Sequence, residues 1–159
     1  MNCKQRLEDY LRENKIPFEV QHHARAISAQ EVAATQHVPG KMFAKTVMVM
    51  VDGEEMAMLA LPAPYHVNTE KAAAVLGALD VHLASEERFG DTFPDCEVGA
   101  MPPFGNLYGV PVHVDRALAE DEKIVFRAGT HTDTMSVLYA DFERLVEPTL
   151  ANFADPPSG

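Results

Sequence analysis

Residues 42–61 read MFAKTVMVMVDGEEMAMLAL, two apolar runs that are separated by Asp52-Gly53 and two glutamates. Runs of valine and methionine of this length are typical of buried strands, and Asp-Gly favours the tight turn that joins antiparallel strands. The stretch therefore predicts a β-hairpin with strands over 42–51 and 56–61. We expect this hairpin to form the centre of a small sheet.

Lys45 interrupts the first of these apolar runs. Lysine is almost never buried without a partner or a function, so its place inside a central strand needs an explanation. One interpretation is structural, in which the aliphatic stem lies along the sheet and the ammonium group reaches water. The other is functional, in which the ammonium group holds an anion.

The length and composition indicate one globular domain. The chain has 159 residues, of which 47% are hydrophobic and 23% charged, and we expect a single domain over 1–150 followed by a flexible tail over 151–159. The charged first twenty residues and the absence of an apolar run of membrane-spanning length favour the cytoplasm. Cys3 and Cys96 lack a CxxC spacing and are interpreted as free thiols in a reducing compartment.

The net charge of −11 comes from 13 Lys and Arg against 24 Asp and Glu. This balance argues against binding to duplex DNA, because affinity for phosphate backbones comes mainly from lysine and arginine. Residues 20–51 have a different charge balance from the rest of the chain. They contain three cations, Arg25, Lys41 and Lys45, and one acidic residue, Glu31. Such a local positive region suits a small anion or a single-stranded end, although chance clustering also accounts for it.

The remaining pattern predicts an α+β fold. Predicted helices cover residues 2–14, 28–34, 69–76, a turn or two after Ser85, and a last helix capped by Asp141 that ends at 146; predicted strands cover 18–20, 81–83, 110–114, 124–126 and 135–139. Strands outnumber helices and mostly follow one another directly, which favours a mixed, largely antiparallel sheet or open barrel with helices outside it. The GxGxxG and GxxxxGK[ST] phosphate motifs are absent from the sequence.

Two further segments are candidates for a site. Residues 91–109 are rich in glycine and proline and are predicted to be irregular, and within them GAMPPFG at 99–105 could present backbone amides to an anion or oxyanion. The alternative is a rigid surface turn. The polar segment RAGTHTDT at 127–134 contains His131, which could act as a base or donor, or could belong to an ordinary polar turn.

Other chemistries are weakly supported. The seven histidines show none of the HxH, HxxxH or HExxH spacings that bind metals, so no metal is expected. Cys96 with His131 could in principle form a nucleophile and base, but a structural thiol is the better interpretation. Ser136 lacks the GxSxG context of a serine nucleophile.

Taken in order, these features resemble the YbaK and prolyl-tRNA synthetase-associated editing domains over roughly residues 20–147. The resemblance rests on the serine-capped helix at 28–34, FAKTVMVM at 43–50, GAMPPFG at 99–105, a strand ending at Asp115, and AGTHTDTMSVLYADFERLV at 128–146. It implies a partly open β-barrel flanked by helices. It also implies a freestanding aminoacyl-tRNA deacylase that hydrolyses the ester of a mischarged amino acid at the tRNA 3′ end, without a metal or other cofactor.

The resemblance also implies roles for particular residues. Lys45 would act in catalysis together with Gly99, Ala100 and Met101. The expected substrate-binding residues are Arg25, Ala44, Thr46, Pro103, Phe104, Gly105, Gly129, Thr130 and His131. The expected partners are the acceptor end of a mischarged tRNA and an aminoacyl-tRNA synthetase, with no membrane and no duplex DNA.

The sequence leaves open which amino acid is removed and whether the protein is an enzyme or a binding module. The HPxxNT pattern of the branch that removes alanine from proline tRNA is absent, so that specificity is not carried over. A non-catalytic module that binds a tRNA acceptor end or a small anion on the same fold is the alternative, motivated by the acidic net charge and the lack of an obvious general base.

Overall fold

A computed structural model describes residues 2–22 and 40–157 of the chain. Arg25 and the predicted helix at 28–34 lie outside the described residues. The described helices are α1 (Cys3–Glu13), α2 (Thr69–Leu76), α3 (Glu86–Thr92), α4 (Arg116–Ala119) and α5 (Tyr139–Val146), with single 3₁₀ turns at Gly40–Met42 and Gly105–Tyr108. The described strands are β1 (Glu19–His22), β2 (Ala44–Val51), β3 (Glu55–Pro62), β4 (His66–Val67), β5 (Val81–Leu83), β6 (Val112–Asp115), β7 (Lys123–Arg127), β8 (Asp133–Leu138), β9 (Thr149–Ala151) and β10 (Ala154–Asp155).

The strands form three sheets. The largest has the order β5-β2-β3-β6-β9, a second has the order β1-β8-β7, and β10 pairs with β4. Pairing is antiparallel except between β3 and β6 and between β6 and β9. The mixed, largely antiparallel α+β architecture is therefore confirmed. The expected barrel is not confirmed, because the described sheets do not close on one another.

The hairpin predicted from residues 42–61 is present. Strands β2 and β3 pair in register from Ala44 opposite Pro62 to Val51 opposite Glu55. Asp52 and Gly53 both have positive φ angles, 52° and 70°, which is the geometry that the primed hairpin turns require. The Asp52 carboxylate also accepts hydrogen bonds from two backbone amides before β5, at 2.9 Å each, and so ties the turn to the next strand.

Both faces of this hairpin are covered over most of its length, which explains why its strands are mostly apolar. Met58 and Ala60 face a large core that includes Leu7 and Leu11 of α1. Leu59 and Leu61 point the other way, into a smaller core with Ala72 of α2 and Phe153. Because side chains alternate along a strand, burial on both faces requires an unbroken apolar run.

The two cysteines form a disulfide, so the prediction of free thiols is wrong. Cys3 begins α1 and Cys96 follows α3, at a sequence separation of 93. The Cys3 amide donates to the carbonyl of Asp95 at 3.0 Å, and Arg6 pairs with the Asp95 carboxylate at 3.0 Å. Sequence spacing does not reveal this contact, because only the tertiary packing of α1 brings its first turn beside residue 96.

Loss of this disulfide should lower the free energy of unfolding by about 2–4 kcal/mol, since the bond closes a long loop in the unfolded chain. For a chain of this size we expect the Tm of Cys96→Ser to fall by about 5–15 °C. Thermal unfolding with and without a dithiol reductant would measure this. Reductant should lower the Tm of the wild type but not of the variant, and an equal response of both would contradict the assignment.

The C-terminal residues are ordered further than the sequence predicts. Instead of a frayed tail after residue 150, β9 ends at Ala151, Phe153 is fully buried, and β10 pairs with β4. The buried carboxylate of Asp115 accepts hydrogen bonds from the amides of Phe153 and Ala154 at 3.0 Å each. A carboxylate at the end of β6 thus holds this segment in place.

Two boundaries also differ from prediction. Asp141 lies in the first turn of α5, and Leu138 occupies the N-cap position without a side-chain cap. The segment 91–109 is not wholly irregular, because α3 extends to Thr92 and a 3₁₀ turn covers Gly105–Tyr108. Within the described ranges, no helix combines the length and the apolar character needed to cross a membrane.

Candidate functional site

A pocket of about 170 Å³ lies where the start of β2, the loop at 99–101 and the end of β7 meet. It is lined by Phe43, Ala44, Lys45, Thr46, Gly99, Met101 and Arg127. Five of these residues were predicted from the sequence as catalytic or substrate-binding. The structure therefore brings together the strand lysine and the glycine-proline loop, which lie far apart along the chain.

Lys45 stands in the wall of this pocket. It pairs with Leu61 across the hairpin, and its neighbour Ala44 is buried while its own side chain is half-buried. Burial lowers the pKa of Lys45 from its ordinary value of 10.5, because removing an ammonium group from water disfavours the charged form. An anion in the pocket would offset that penalty.

The loop at 99–101 is held by hydrogen bonds on both sides. Thr46 of β2 donates its hydroxyl to the carbonyl of Met101 at 3.1 Å. Gly129, after β7, donates its amide to the carbonyl of Ala100 at 2.9 Å. Gly99 has a φ angle of +83°, which a residue with a side chain rarely adopts. Ala100 is itself fully buried and does not line the pocket.

Arg127, the last residue of β7, begins the polar segment singled out at 127–134 but has no role among the residues predicted for the site. Its Nη1 atom donates to the carbonyl of Gly99 at 3.3 Å, and its side chain lines the pocket together with Lys45. The signal was available in the sequence, because a second cation ends the apolar strand KIVFR directly before the AGTH segment. A cation beside apolar strand residues needs a partner or a function, and this holds for Arg127 as it does for Lys45.

The end of the glycine-proline loop turns away from the pocket. Pro103, Phe104 and Gly105 are all buried, and none of them lines the pocket. The ring of Phe104 packs between Phe126 and Phe142, with centroids 5.5 and 5.4 Å away. These residues anchor the loop in the core.

The segment 129–131 lies behind the loop and supports it. His131 donates its backbone amide to the carboxylate of Glu97 at 2.7 Å, and its Nε2 atom is 2.6 Å from the carbonyl of Val98 and must therefore carry a proton. Thr130 donates its hydroxyl to Asp133 at 2.7 Å. An added Cβ on Gly129 would lie 2.7 Å from the sulfur of Cys3, so this close packing requires glycine. None of the three lines the pocket.

Among the described residues, no group of three or more His, Cys, Asp and Glu side chains is placed to hold a metal ion. The pocket itself offers an ammonium group, a guanidinium group, a hydroxyl and backbone polar groups. This arrangement can bind an anionic or carbonyl oxygen and stabilise negative charge that develops on it.

Comparison with known proteins gives consistent results at the level of sequence and of fold. A Ser/Thr-tRNA deacylase of Escherichia coli (strain K12), ProXp-y, is 27% identical over 153 residues, which cover 94% of this chain and 91% of that protein. A proline-tRNA ligase of Leuconostoc citreum (strain KM20) is 30% identical over 130 residues, and the match covers 79% of this chain and 21% of the ligase.

Solved structures share the fold at low sequence identity. A proposed trans-editing enzyme for prolyl-tRNA synthetase superposes with a TM-score of 0.82 at 15% identity, covering 96% of this chain and 97% of that one. A hypothetical protein superposes with a TM-score of 0.84 at 17% identity, covering 94% and 99%. Residues 23–145 match the family described as the aminoacyl-tRNA editing domain. The chain therefore belongs to the aminoacyl-tRNA editing domain family.

Proposed function

We propose that this protein is a freestanding aminoacyl-tRNA deacylase, which hydrolyses the ester between a mischarged amino acid and the 3′-terminal adenosine of a tRNA. The observation that carries the proposal is the half-buried Lys45 in a pocket closed by the Gly99 loop, in a chain of the editing family. The deacylase from E. coli matches this chain over nearly the whole length of both proteins, which supports a freestanding enzyme.

The proposed reaction is attack of water on the ester carbonyl carbon. The carbonyl oxygen becomes an oxyanion, the bond from that carbon to the ribose oxygen then breaks, and the ribose oxygen takes up a proton. Lys45 would stabilise the oxyanion or the neighbouring anionic group, while the backbone at Gly99 and Met101 would orient the ester. Each well-placed donor is worth about 2.7–4 kcal/mol in such sites.

Activation of the water would come from the substrate. The described residues that line the pocket include no histidine, carboxylate or cysteine. The ribose hydroxyl next to the ester is close enough to assist the attacking water in any bound aminoacyl-tRNA. An aminoacyl ester is already reactive, so that positioning and charge stabilisation suffice without a strong protein base.

The wider proposal concerns partners and place of action. The partner is the acceptor end of a mischarged tRNA, with Arg25 and the basic stretch around it as further contacts, and a synthetase as the source of the mischarged product. We also propose that the chain acts as a single editing domain, of which β9 and β10 are part, and that the reaction takes place where tRNAs are charged, in the cytoplasm. The similarity to segments of proline-tRNA ligases supports a link to that synthetase.

The direct test is a panel of tRNAs, each charged with a labelled non-cognate amino acid. Serine and threonine on their non-cognate tRNAs come first, because the E. coli relative carries those substrates in its name. We expect release of label well above the spontaneous rate for at least one pair, and little release from correctly charged controls. Saturable, salt-sensitive binding without turnover on any tRNA would instead support a binding module.

The lowered pKa of Lys45 predicts how substrate binding depends on pH. Because the ammonium group loses its proton at a lower pH than an exposed lysine does, affinity for an anion should begin to fall at a correspondingly lower pH. The measurement is the Kd of a tRNA end with a hydrolysis-resistant amide in place of the ester, between pH 7 and 10. Lys45→Arg keeps its charge throughout this range, so its binding should stay flat where that of the wild type declines. Parallel profiles would contradict the role of Lys45.

A further inference from the structure

We infer that Arg127 binds the phosphodiester group that precedes the terminal adenosine, as a second substrate-binding cation beside Lys45. This inference rests on the proposed function and names which part of the substrate the pocket recognises. Arg127 and Lys45 come from different sheets, yet both line the pocket at 99–101. The other described lining residues are all uncharged.

The charges at the end of an aminoacyl-tRNA indicate which of its groups a pair of cations would bind. In an aminoacyl-tRNA the α-carboxylate is consumed in the ester, so an uncharged amino acid such as serine or threonine brings no negative charge. Its amino group is neutral or positive, and the adenine and ribose are neutral. The formal negative charge nearest to the ester is the phosphodiester on the 5′ side of the terminal nucleoside. A site with an ammonium and a guanidinium group therefore suits that phosphodiester and disfavours the amino group.

The geometry of Arg127 links this contact to the loop. Its Nη1 atom donates to the carbonyl of Gly99 at 3.3 Å. A guanidinium group carries five N–H donors in a planar fork, and its geometry matches phosphate oxygens. The guanidinium group that contacts Gly99 therefore also brings a positive charge to the pocket that Arg127 lines. Binding of the phosphodiester would then place the ester opposite the loop that Arg127 already supports.

The test uses two small substrates that differ in one group. One is 3′-O-seryl-adenosine, and the other is the same ester carrying a 5′-phosphate methyl diester, which reproduces the charge of the tRNA backbone. The value of kcat/KM is measured for both with the wild type, Arg127→Gln and Arg127→Lys. Arg144→Gln is the matched control, because Arg144 lies on α5 with an exposed side chain paired to Asp141.

We expect kcat/KM of the wild type and of Arg144→Gln to be about 10- to 100-fold higher on the phosphodiester substrate than on seryl-adenosine. This ratio corresponds to the usual contribution of a hydrogen bond to a charged group. Arg127→Gln should lose most of this preference, because its kcat/KM should fall far more on the phosphodiester substrate than on seryl-adenosine, and Arg127→Lys should keep part of the preference. An unchanged preference in Arg127→Gln would overturn the inference. So would an equal loss on both substrates, which would assign Arg127 a structural role only.

A second readout separates this inference from the proposed function. The same pair with an amide in place of the ester is tested for binding, so that no turnover is needed. If the wild type hydrolyses neither ester but binds the phosphodiester amide more tightly, and Arg127→Gln abolishes that difference, the phosphate contact holds and the deacylase proposal fails. If the wild type binds both amides equally, the inference fails whatever the rates of hydrolysis.

Discussion

Lys45→Ala should lower kcat/KM for release of the mischarged amino acid by about 10²–10³-fold, the range found when one stabilising donor is removed from an oxyanion site. The expectation follows from the position of Lys45 in the pocket wall, where its charge is partly withdrawn from water. Alanine removes the charge but leaves the β2–β3 pairing intact, since that pairing uses backbone atoms. Folding should therefore survive the change.

The measurement is the rate of deacylation under single-turnover conditions, compared with Lys71→Ala as the matched control. Lys71 is an exposed lysine on α2 that pairs with Asp155, and it lies outside the pocket. Lys71→Ala should keep the wild-type rate. Lys45→Arg should recover part of the lost rate, because it restores the charge with a different shape. Equal rates for Lys45→Ala and the wild type would remove Lys45 from the mechanism.

Phe104→Ala should lower the free energy of unfolding by about 3–5 kcal/mol, the usual range for truncating a buried aromatic side chain. Phe104 is 1% exposed and its ring contacts Phe126 and Phe142. Truncation would leave a cavity between β7, α5 and the loop, and these elements are held elsewhere and cannot collapse fully to fill it. The loop at 99–101 would lose its anchor as well.

Equilibrium unfolding in urea would measure the change, with Leu79→Ala as the control. Leu79 is 98% exposed, so its truncation should alter the free energy of unfolding by less than about 0.5 kcal/mol. Phe104→Leu keeps most of the volume and should be affected less than Phe104→Ala. If Phe104→Ala kept the wild-type stability but bound substrate more weakly, the core position of Phe104 would be contradicted. That result would support a substrate-binding role for Phe104 instead.

Local signals in the sequence were sufficient for the elements that they govern. The Asp52-Gly53 turn with its apolar flanks predicts the central hairpin, because the turn geometry demands residues that tolerate positive φ. Asn68 and Gly77 likewise predict both ends of α2, since one caps the first turn and the other accepts the left-handed conformation that ends it. In each case the physical cause lies within a few residues.

The candidate site was predictable only in part, because it is formed by segments that lie far apart in the sequence. The sequence predicts a role for Lys45 because a charge inside an apolar strand conflicts with its apolar neighbours, and these neighbours are adjacent in the sequence. Arg127 carries a similar signal at a strand end, and the resemblance implies a substrate-binding role for Phe104 although the structure places its side chain in the core. A glycine-proline loop does not reveal which of its residues point inward.

The sequence by itself therefore determined the strand lysine, the hairpin that carries it, the α+β class and the resemblance to editing domains. Only the tertiary structure decided that Cys3 reaches Cys96, that the C-terminal strands are ordered, and that Arg127 shares a pocket with Lys45. Turns, caps and apolar runs act over a few residues, so they can be found from the order of residues alone. Contacts between distant segments depend on how the sheets and helices pack, and the packing of the whole chain sets them.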